Sequence, residues 1–335
     1  MIVKTHEVPR IILQLEALIK RLPQNHPKIP QIIEDLNIRN AGFRGELAID
    51  YPLSFLNEKD YSIFHDLRLK TKKHYFQLDT LILNPKVAII LEVKNYSGKI
   101  HFETGFKQLI QTKDGIEKGY PYPLTQLERH ELQLKEWLQQ QKLREINITS
   151  LVVISNSYTI ISTSPEEKSL HQKIIHKEEL PTKIPKLVNS QQNQPLEEKE
   201  LKKISRLLLK QHTERDSSIL EQYQVDQKEL VKGAICKNCG SLPLIRIKAN
   251  WLCTTCNSKD KLAHLRALDD YKLLIKPTIT NSELRNFLGV NSIATANRIL
   301  QSMNLKYDGE KKKGRVYYLL KEAKGGSCRK SSNSK

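Results

Sequence analysis

Hydrophobic and polar positions divide the N-terminal half of the chain into stretches with two different periods. Residues 1–23 place apolar side chains at helical spacing, at Ile11, Ile12, Leu15, Leu18, Ile19 and Leu22. This spacing predicts an amphipathic helix that packs on the domain following it. Residues 42–158 alternate short apolar strands with helical stretches, which is the pattern of a mixed α/β domain.

The C-terminal half shows a different pattern. Residues 189–203 become polar and charged, which predicts a linker running into a solvated helix. Residues 261–320 predict two helices, a Gly-Val turn, a third helix and a basic hairpin. The predicted organisation is a helical extension at 1–41, an α/β domain at 42–188, a charged helical linker at 189–233, a ribbon at 234–260, a helical module at 261–322 and a disordered basic tail at 323–335.

The most apolar segment of the chain, "DTLILNPKVAIILEVKN" at residues 79–95, contains charged residues that need partners. Buried charges are expensive unless they pair with each other or with a metal. A hairpin with Pro85-Lys86 as its two-residue loop would place Asp79 opposite Glu92, with Lys94 on the same face. This register is conditional, because proline is not typical of hairpin turns and a slip of one residue would move Asp79 to the other face.

The residues alone leave two interpretations of this cluster open. In one, Asp79 and Glu92 hold Mg²⁺ or Mn²⁺, and Lys94 orients or deprotonates a water for the hydrolysis of a phosphodiester. In the other, Lys94 forms a structural ion pair with either carboxylate, as buried networks often do.

Four segments in order extend the pattern beyond this hairpin. They are "GFRGELAID" (42–50), "FQLDTLIL" (76–83), "LEVKNYSGKI" (91–100) and "YPLTQLERHELQLKEWL" (122–138). Together they resemble the nuclease-related domain, NERD, of bacterial proteins, which belongs to the PD-(D/E)xK nuclease superfamily. The resemblance implies a restriction-endonuclease-like fold, a mixed sheet flanked by helices. It also implies an Mg²⁺- or Mn²⁺-dependent deoxyribonuclease.

The resemblance assigns a role to each of five residues. Asp79 and Glu92 match the direct metal ligands, and Lys94 matches the catalytic lysine. Glu46 matches the carboxylate that reaches the metal from the first helix. Gln126 matches the helical glutamine beside the site, although an ordinary solvated glutamine is an equal alternative for this position.

Neighbouring positions fit the family less evenly. Gly42 and Gly45 would allow a close approach at the start of the helix that bears Glu46. Gln77 is expected to support the metal ligands from the same face of its strand. Tyr122 departs from the family pattern, in which an asparagine precedes the proline, and this weakens the fit around the second helix.

Four cysteines form two tight pairs, "CKNC" and "CTTC", with thirteen residues between them. Two such pairs predict a closed tetrahedral Zn²⁺ site in a zinc ribbon, with two short strands between the pairs. Four thiolates leave no open coordination position, so the zinc is expected to be structural. A metal site in a reducing compartment fits this spacing better than disulfides. The predicted ligands are Cys236, Cys239, Cys253 and Cys256.

Residues 281–305 predict two capped helices around a Gly289-Val290 turn. In the second helix, Thr295 and Arg298 face outward from an apolar stripe made of Ile293, Ala296, Leu300 and Met303. With the hairpin that follows, the module looks like a winged helix-turn-helix domain. Its second helix would enter the major groove, and a wing of Lys311, Lys312, Lys313 and Arg315 would contact phosphates. The alternative is a helical protein-interaction module.

Charge narrows the class of partner. The chain has 55 basic and 37 acidic side chains, a net charge of +18. Residues 267–335 alone hold 14 basic and 6 acidic side chains. Such an excess favours nucleic acid first and an anionic membrane surface second. No apolar run approaches the ~20 residues that span a bilayer, and no signal peptide is predicted, so the expected location is cytoplasmic.

The predicted partner is therefore DNA, either duplex or branched, and no membrane. RNA ranks lower, because the sequence shows no stacking platform for single strands. The rival from another functional class is a non-enzymatic DNA-binding regulator or scaffold that uses a nuclease-like fold. The charged positions 46, 79, 92 and 94 favour the enzyme, since a scaffold has no need to bury them.

Overall fold

The computed structural model describes residues 1–164, 167–215, 217–310 and 314–319. The predicted wing lysines Lys311, Lys312 and Lys313 and the predicted tail at 323–335 lie outside these residues. The helices are α1 (Arg10–Arg21), α2 (Ile29–Leu47), α3 (Asp50–Leu53), α4 (Pro123–Gln140), α5 (Leu180–Asn189), α6 (Glu198–Gln211), α7 (Ile219–Tyr223), α8 (Ala263–Leu274), α9 (Asn281–Leu288) and α10 (Ile293–Ser302).

The strands of the same residues form four sheets. They are β1 (Ile2–Lys4), β2 (Ser62–Lys70), β3 (Tyr75–Asn84), β4 (Val87–Lys94), β5 (Lys99–Glu103), β6 (Gln108–Lys113), β7 (Ile116–Pro121), β8 (Asn147–Ile154), β9 (Ile160–Thr163), β10 (Ile174–His176), β11 (Ile245–Ile247), β12 (Asn250–Leu252), β13 (Lys259–Asp260), β14 (Thr278–Thr280), β15 (Tyr307–Asp308) and β16 (Val316–Tyr318).

The chain divides into two compact units, and the division differs from the predicted boundaries. Unit 1 comprises Met1–Pro9 and Asp35–Asp216, and unit 2 comprises Arg10–Glu34 and Ser217–Lys335. Helix α1 therefore belongs with the C-terminal part of the chain. The sequence pattern had predicted that this helix packs on the α/β domain. Helix α6, expected in a solvated linker, belongs to unit 1, where its Ile204 and Leu208 are buried in the core.

Unit 1 is built on a six-stranded mixed sheet with the order β1-β2-β3-β4-β8-β10. Strands β2, β3 and β4 are antiparallel, whereas β4, β8 and β10 are parallel. Helices α4 and α6 pack on one face of the sheet, and α3 and α5 pack on the other. Because both faces are covered, nearly every position of β4 is buried, and residues 87–91 form a continuous apolar run ahead of Glu92. This mixed sheet flanked by helices is the predicted nuclease-like fold.

The β3–β4 hairpin has the predicted register. Asn84 pairs with Val87, and the ladder continues to the pair Thr80 and Leu91. Asp79 and Glu92 are the next residues beyond that last pair. Ile90 belongs to the cluster that packs on α4, so alternation along β4 places Glu92 on this face too.

An irregularity in the neighbouring strand places a further carboxylate at this end of the hairpin. In the β2–β3 ladder His65 pairs with Thr80 and Leu67 pairs with Leu78, which leaves Asp66 across from Asp79. Asp66 has a φ of +50°, the left-handed region that few residues other than glycine adopt. The regular pairing is therefore interrupted where two acidic residues meet.

Unit 2 contains two three-stranded sheets, with the orders β11-β12-β13 and β14-β16-β15. Its ribbon and its helical module share one hydrophobic core, in which Trp251 and Cys253 of the ribbon lie with Tyr271 and Leu284 of the module. The predicted boundary between residues 260 and 261 therefore does not separate two cores.

The turn between α9 and α10 has the predicted geometry, but the apolar stripe of α10 differs. Gly289 ends α9 with a φ of +67°. Ser292 caps α10 by accepting a hydrogen bond from the backbone N–H of Thr295. Ile293 was expected in the core, but it is 60% exposed, and Ile299 is buried in its place. The expected stripe was wrong at this position because Ile293 lies in the first turn, next to the cap.

Candidate functional site

Four of the predicted catalytic residues meet at the end of the β3–β4 hairpin. The Lys94 Nζ lies 2.6 Å from Glu92 Oε1 and 3.3 Å from Gln126 Oε1 of α4. Asp79 is held by the backbone N–H of Val93, which donates to its Oδ2 at 2.9 Å. A half-buried lysine is thus shared between a carboxylate and an amide oxygen, beside a second carboxylate on the adjacent strand.

Glu46 reaches this region from the last turn of α2, not from the start of a helix as predicted. Gly45 allows the approach, whereas the close approach predicted at Gly42 was wrong, since a Cβ there would meet nothing within 4 Å. A Cβ on Gly45 would lie 2.6 Å from the Cβ of Asn95 and 2.8 Å from the Oγ of Ser155. These two residues directly follow β4 and β8, so only glycine lets the end of α2 lie against the ends of those strands.

The carboxylates outnumber the positive charges available to them. Burial, together with repulsion from Glu92 and Glu46, raises the pKa of Asp79 well above its ordinary value. Burial, then Asp66, then Glu92 raise the pKa of Glu46 to about 7. Burial alone would lower the pKa of Lys94, but attraction by Glu92 and Asp79 outweighs it, and the pKa of Lys94 is raised. One charged lysine therefore faces several carboxylates.

An unpaired oxygen marks where a further cation would fit. Glu92 Oε2 is buried and has no hydrogen-bond partner in the described part of the chain, and His130 Nδ1 lies 3.6 Å from it. A buried acceptor left unpaired is rare and costly. Carboxylate oxygens are the ligands that Mg²⁺ and Mn²⁺ prefer, so the donors present fit such an ion.

The three carboxylates do not form one tight ligand set. Among the described residues, no set of three oxygens, one each from Glu46, Asp79 and Glu92, has all its members within 4.8 Å of one another. An ion bound directly by two of these carboxylates would therefore lie farther from the third. A contact through water fits this separation, since Mg²⁺ keeps several waters.

The structure adds residues that sequence reasoning missed. A cleft of about 370 Å³ opens beside Asp79 and Gln126, and Arg129, His130 and Gln133 of α4 line it as well. Burial, Arg129 and Lys94 lower the pKa of His130 to about 4, so its ring is neutral. His130 follows Gln126 by four positions, and this helical spacing is a signal that could have found it.

Gln77 of β3 has a different partner from the one expected, and Asp66 of β2 was not predicted at all. Gln77, expected to support the metal ligands, donates instead to Asp66 Oδ1 at 2.7 Å. No sequence pattern pointed to Asp66, because its place opposite Asp79 depends on the irregular pairing of two strands.

The four cysteines of unit 2 converge. Cys236 Sγ lies 3.6 Å from Cys256 Sγ, and Cys239 Sγ lies 3.5 Å from Cys253 Sγ. All four are free thiols within 4.8 Å of one another. A tetrahedral Zn²⁺ with Zn–S bonds of about 2.3 Å requires S–S separations of about 3.8 Å, so the cluster fits a zinc ribbon.

Hydrogen bonds favour the thiolate form of Cys236. The Ser258 hydroxyl, followed by the backbone N–H of Cys239, lowers the pKa of Cys236 to about 6. Strands β11 and β12 form the predicted hairpin between the two cysteine pairs. The added strand β13 was not predicted.

A basic groove of about 1780 Å³ in unit 2 is lined by two residues that were predicted to contact DNA and by several residues that were not predicted. Arg298 and Thr295 of α10 line it. Arg246 of β11 also lines it, with its Nε and Nη1 buried and without hydrogen-bond partners among the residues described. Burial, and then the charge of Arg298, lower the pKa of Arg246. The other basic residues of the lining are Lys248, Lys261 and Lys306.

Arg315, the one predicted wing residue that the structure describes, is held within its hairpin. Its Nε donates to the carbonyl of Gly309 at 3.3 Å, and its guanidinium lies 4.2 Å from the ring centre of Tyr307.

Comparison with known families identifies one segment. Residues 41–155, about a third of the chain, match the nuclease-related domain family, NERD. This match confirms the resemblance inferred from the four ordered motifs. Searches of curated proteins and of solved structures found no match. No helix in the described ranges is both long and apolar enough to cross a bilayer.

Proposed function

We propose that the protein is an Mg²⁺- or Mn²⁺-dependent nuclease that hydrolyses DNA phosphodiester bonds. The observation that carries the proposal is Glu92, a buried carboxylate with one oxygen on Lys94 and the other unpaired. This arrangement lies within the segment that matches the nuclease-related domain. It supplies a hard oxygen ligand beside a charged lysine, which are the two groups that metal-assisted hydrolysis needs.

Each residue has a separate task in this proposal. An ion bound by Asp79 and Glu92 would polarise the scissile phosphate and lower the pKa of a water. Lys94, positioned by Gln126, would orient the attacking water and offset charge that develops on the phosphate. The Val93 N–H keeps one oxygen of Asp79 fixed. Glu46 would contact the ion through a water molecule at the edge of the site.

Unit 2 would hold the DNA. The groove is lined by the guanidinium groups of Arg246 and Arg298 and by several lysines, and such groups attract phosphates. Structural Zn²⁺ on the four cysteines would support the hairpin that bears Arg246. Thr295 would face bases, and Arg315 with the wing lysines 311–313 would contact phosphates, as in a winged helix. The location proposed is the cytoplasm, which keeps the thiols reduced.

One observation favours the rival function, a non-enzymatic DNA-binding regulator or scaffold. Lys94 already neutralises one oxygen of Glu92 at 2.6 Å, as a structural ion pair would. Under this alternative the protein would bind DNA through unit 2 and cut nothing.

The decisive experiment incubates the purified protein with duplex, nicked, branched and single-stranded DNA and with RNA, in Mg²⁺, Mn²⁺ or EDTA. Cleavage is expected with either ion and not with EDTA, and Lys94→Ala is expected to abolish it. The matched control is Lys59→Ala, since Lys59 is an exposed lysine of the same unit. Binding without cleavage under every condition would select the regulator or scaffold, and cleavage of RNA alone would change the substrate.

A further inference from the structure

A second group of potential ligands in unit 1 includes His65, the residue before Asp66. His6 follows β1, Asp50 begins α3 and His65 lies in β2. One ligand atom from each lies within 4.8 Å of the other two. The three residues are distant in sequence, so the tertiary structure alone brings them together.

The distances within this group suit a small divalent ion. His6 Nε2 lies 3.1 Å from Asp50 Oδ1, and His65 Nε2 lies 3.6 Å from the same oxygen. Tetrahedral coordination with bonds of 2.0–2.1 Å places ligand atoms about 3.3 Å apart, between these two values. The two imidazole rings are stacked, with centroids 3.9 Å apart.

These ligand atoms have no other use in the described residues. His6 Nε2, His65 Nε2 and Asp50 Oδ1 are all buried without a hydrogen-bond partner. The 3.1 Å approach of His6 to Asp50 thus lacks the alignment of a hydrogen bond. Both imidazole side chains are almost completely buried, 3% and 0% exposed. Buried polar atoms that converge without satisfying one another indicate a missing ligand.

The other nitrogen of His65 is fixed in the way that metal-bound histidines usually are. His65 Nδ1 lies 2.9 Å from the Thr80 hydroxyl. A partner on one ring nitrogen orients the ring and leaves the other nitrogen for a metal. Lys4, the neighbouring cation, donates to the backbone carbonyl of His65 and so does not occupy the ring nitrogens.

We propose that His6, Asp50 and His65 bind a divalent transition-metal ion, for which Zn²⁺ is the best match. Two imidazoles are borderline ligands, and together with one carboxylate they suit Zn²⁺ and its neighbours better than Mg²⁺. Asp50, whose side chain is 39% exposed, leaves the remaining coordination position to solvent. The bound ion ties the segment after β1 to β2 and α3, and so anchors the N-terminal strand.

This site is separate from the carboxylates around Glu92. Thr80, which holds His65, lies two residues before Ile82 on β3 and therefore on the same face, and Ile82 belongs to the cluster that packs on α3 and α5. Glu92 belongs to the opposite face, beside α4. The proposal therefore does not depend on nuclease activity.

Cobalt is the probe that separates the three classes of site. Full-length protein is freed of metal, kept reduced and titrated with Co²⁺ in excess Mg²⁺, which competes for carboxylate sites and poorly for imidazole. The four cysteines should bind one equivalent with intense thiolate-to-cobalt charge-transfer absorption. A further equivalent should add visible bands without charge transfer.

Variants assign the further equivalent. His6→Gln should lose it and keep the thiolate-bound equivalent, as measured by elemental analysis after desalting. His74→Gln, a change at an exposed histidine of the same unit, should keep both. Zn²⁺ should raise the Tm of the parent and of His74→Gln more than that of His6→Gln.

Two results would overturn the proposal. One is a parent protein without a second equivalent, whatever the variants do. The other is a second equivalent that His6→Gln retains. If His6→Gln does not fold, Asp50→Asn replaces it, because the partly exposed Asp50 tolerates a change of charge more readily.

Discussion

The proposed carboxylate site of unit 1 and the cysteine site of unit 2 differ in how the fold brings their ligands together. The four thiols of unit 2 come from residues 236–256 and lie within 4.8 Å of one another. The carboxylates of unit 1 come from α2, β3 and β4, and among the described residues they do not all converge to that distance. Lys94 already neutralises part of the carboxylate cluster, whereas hydrogen bonds favour the thiolate form of Cys236.

This difference is what separates a structural from a reactive centre. A closed set of four ligands leaves no position for a substrate, and it stabilises the fold when it binds metal. An incomplete set of hard ligands with a charged lysine nearby leaves room for water and phosphate. Its cost is repulsion between carboxylates, which appears as the raised pKa values of Asp79 and Glu46.

The largest effect should come from the thiolate site. Cys253→Ser should remove Zn²⁺ and loosen both the ribbon and the helical module, because Cys253 shares a core with Tyr271 and Leu284. Structural zinc contributes about 10 kcal/mol or more to folding in isolated zinc fingers. Hydrogen exchange should show reduced amide protection at 234–300 and unchanged protection in β3 and β4.

Cys328→Ser, outside the two cysteine pairs, is the matched control and should keep its zinc. Protein that contains no zinc when purified under reducing conditions would contradict the zinc-ribbon assignment. The contrast between the cysteine site and the carboxylate site would then no longer hold.

The carboxylate site should respond in activity more than in stability. Glu92→Gln should lower cleavage by at least ~10²–10³-fold and weaken Mn²⁺ binding, whereas Lys94→Ala should lower cleavage and keep Mn²⁺ binding. Glu58→Gln, a change at an exposed carboxylate of the same unit, should do neither. Calorimetric Mn²⁺ titration and cleavage assays measure both effects.

A structural ion pair predicts a different outcome for the same variants. Loss of Lys94 would then destabilise the fold by roughly 3–5 kcal/mol, with or without metal, because Glu92 would be left buried and unpaired. Thermal unfolding of Lys94→Ala in Mn²⁺ and in EDTA separates the two interpretations.

The groove of unit 2 should contribute to affinity without affecting the chemistry. Arg246→Ala and Arg298→Ala should each weaken DNA binding by roughly 1–2 kcal/mol and reduce the salt dependence by about 0.9 for each phosphate that is no longer neutralised. Lys228→Ala, an exposed lysine of unit 2 outside the groove, should bind as the parent does. Equal binding by all proteins over a range of salt would exclude this groove.

The last comparison concerns the dependence of stability on pH, which has opposite signs in the two sites. The folded pKa of Glu46, about 7, exceeds its ordinary 4.5. The metal-free protein should therefore lose stability as pH rises from about 4.5 to about 7, by on the order of 2–3 kcal/mol. Glu46→Gln should flatten this slope, and the stabilisation by Mn²⁺ should grow over the same window.

Cys236 behaves in the reverse manner. Its folded pKa of about 6 lies below the ordinary 9.0, so the stability that it contributes is lost as pH falls from 9 towards 6. Thermal melts of metal-free protein between pH 4.5 and 9 measure both slopes. A slope that Glu46→Gln leaves unchanged would contradict the electrostatic account of the carboxylate cluster.

Sequence patterns predicted the parts of the molecule that depend on local spacing. The hairpin loop between Asn84 and Val87 formed as expected because Asn84-Pro85-Lys86 is a turn signal between two apolar runs. Glu92 and Lys94 share a face because side chains alternate along a strand. In the same way, the period of the apolar positions predicted the mixed α/β fold, and the spacing of the two cysteine pairs predicted the cysteine cluster.

Only the tertiary structure decided which distant segments meet. It placed Glu46 through the close approach at Gly45, put Asp66 opposite Asp79 by interrupting a ladder, and joined Arg246 to Arg298 in one groove. It also assigned α1 and α6 to units that composition did not indicate. Local spacing is set by covalent geometry, whereas the meeting of distant residues depends on how whole surfaces pack, and no short pattern in the sequence records that packing.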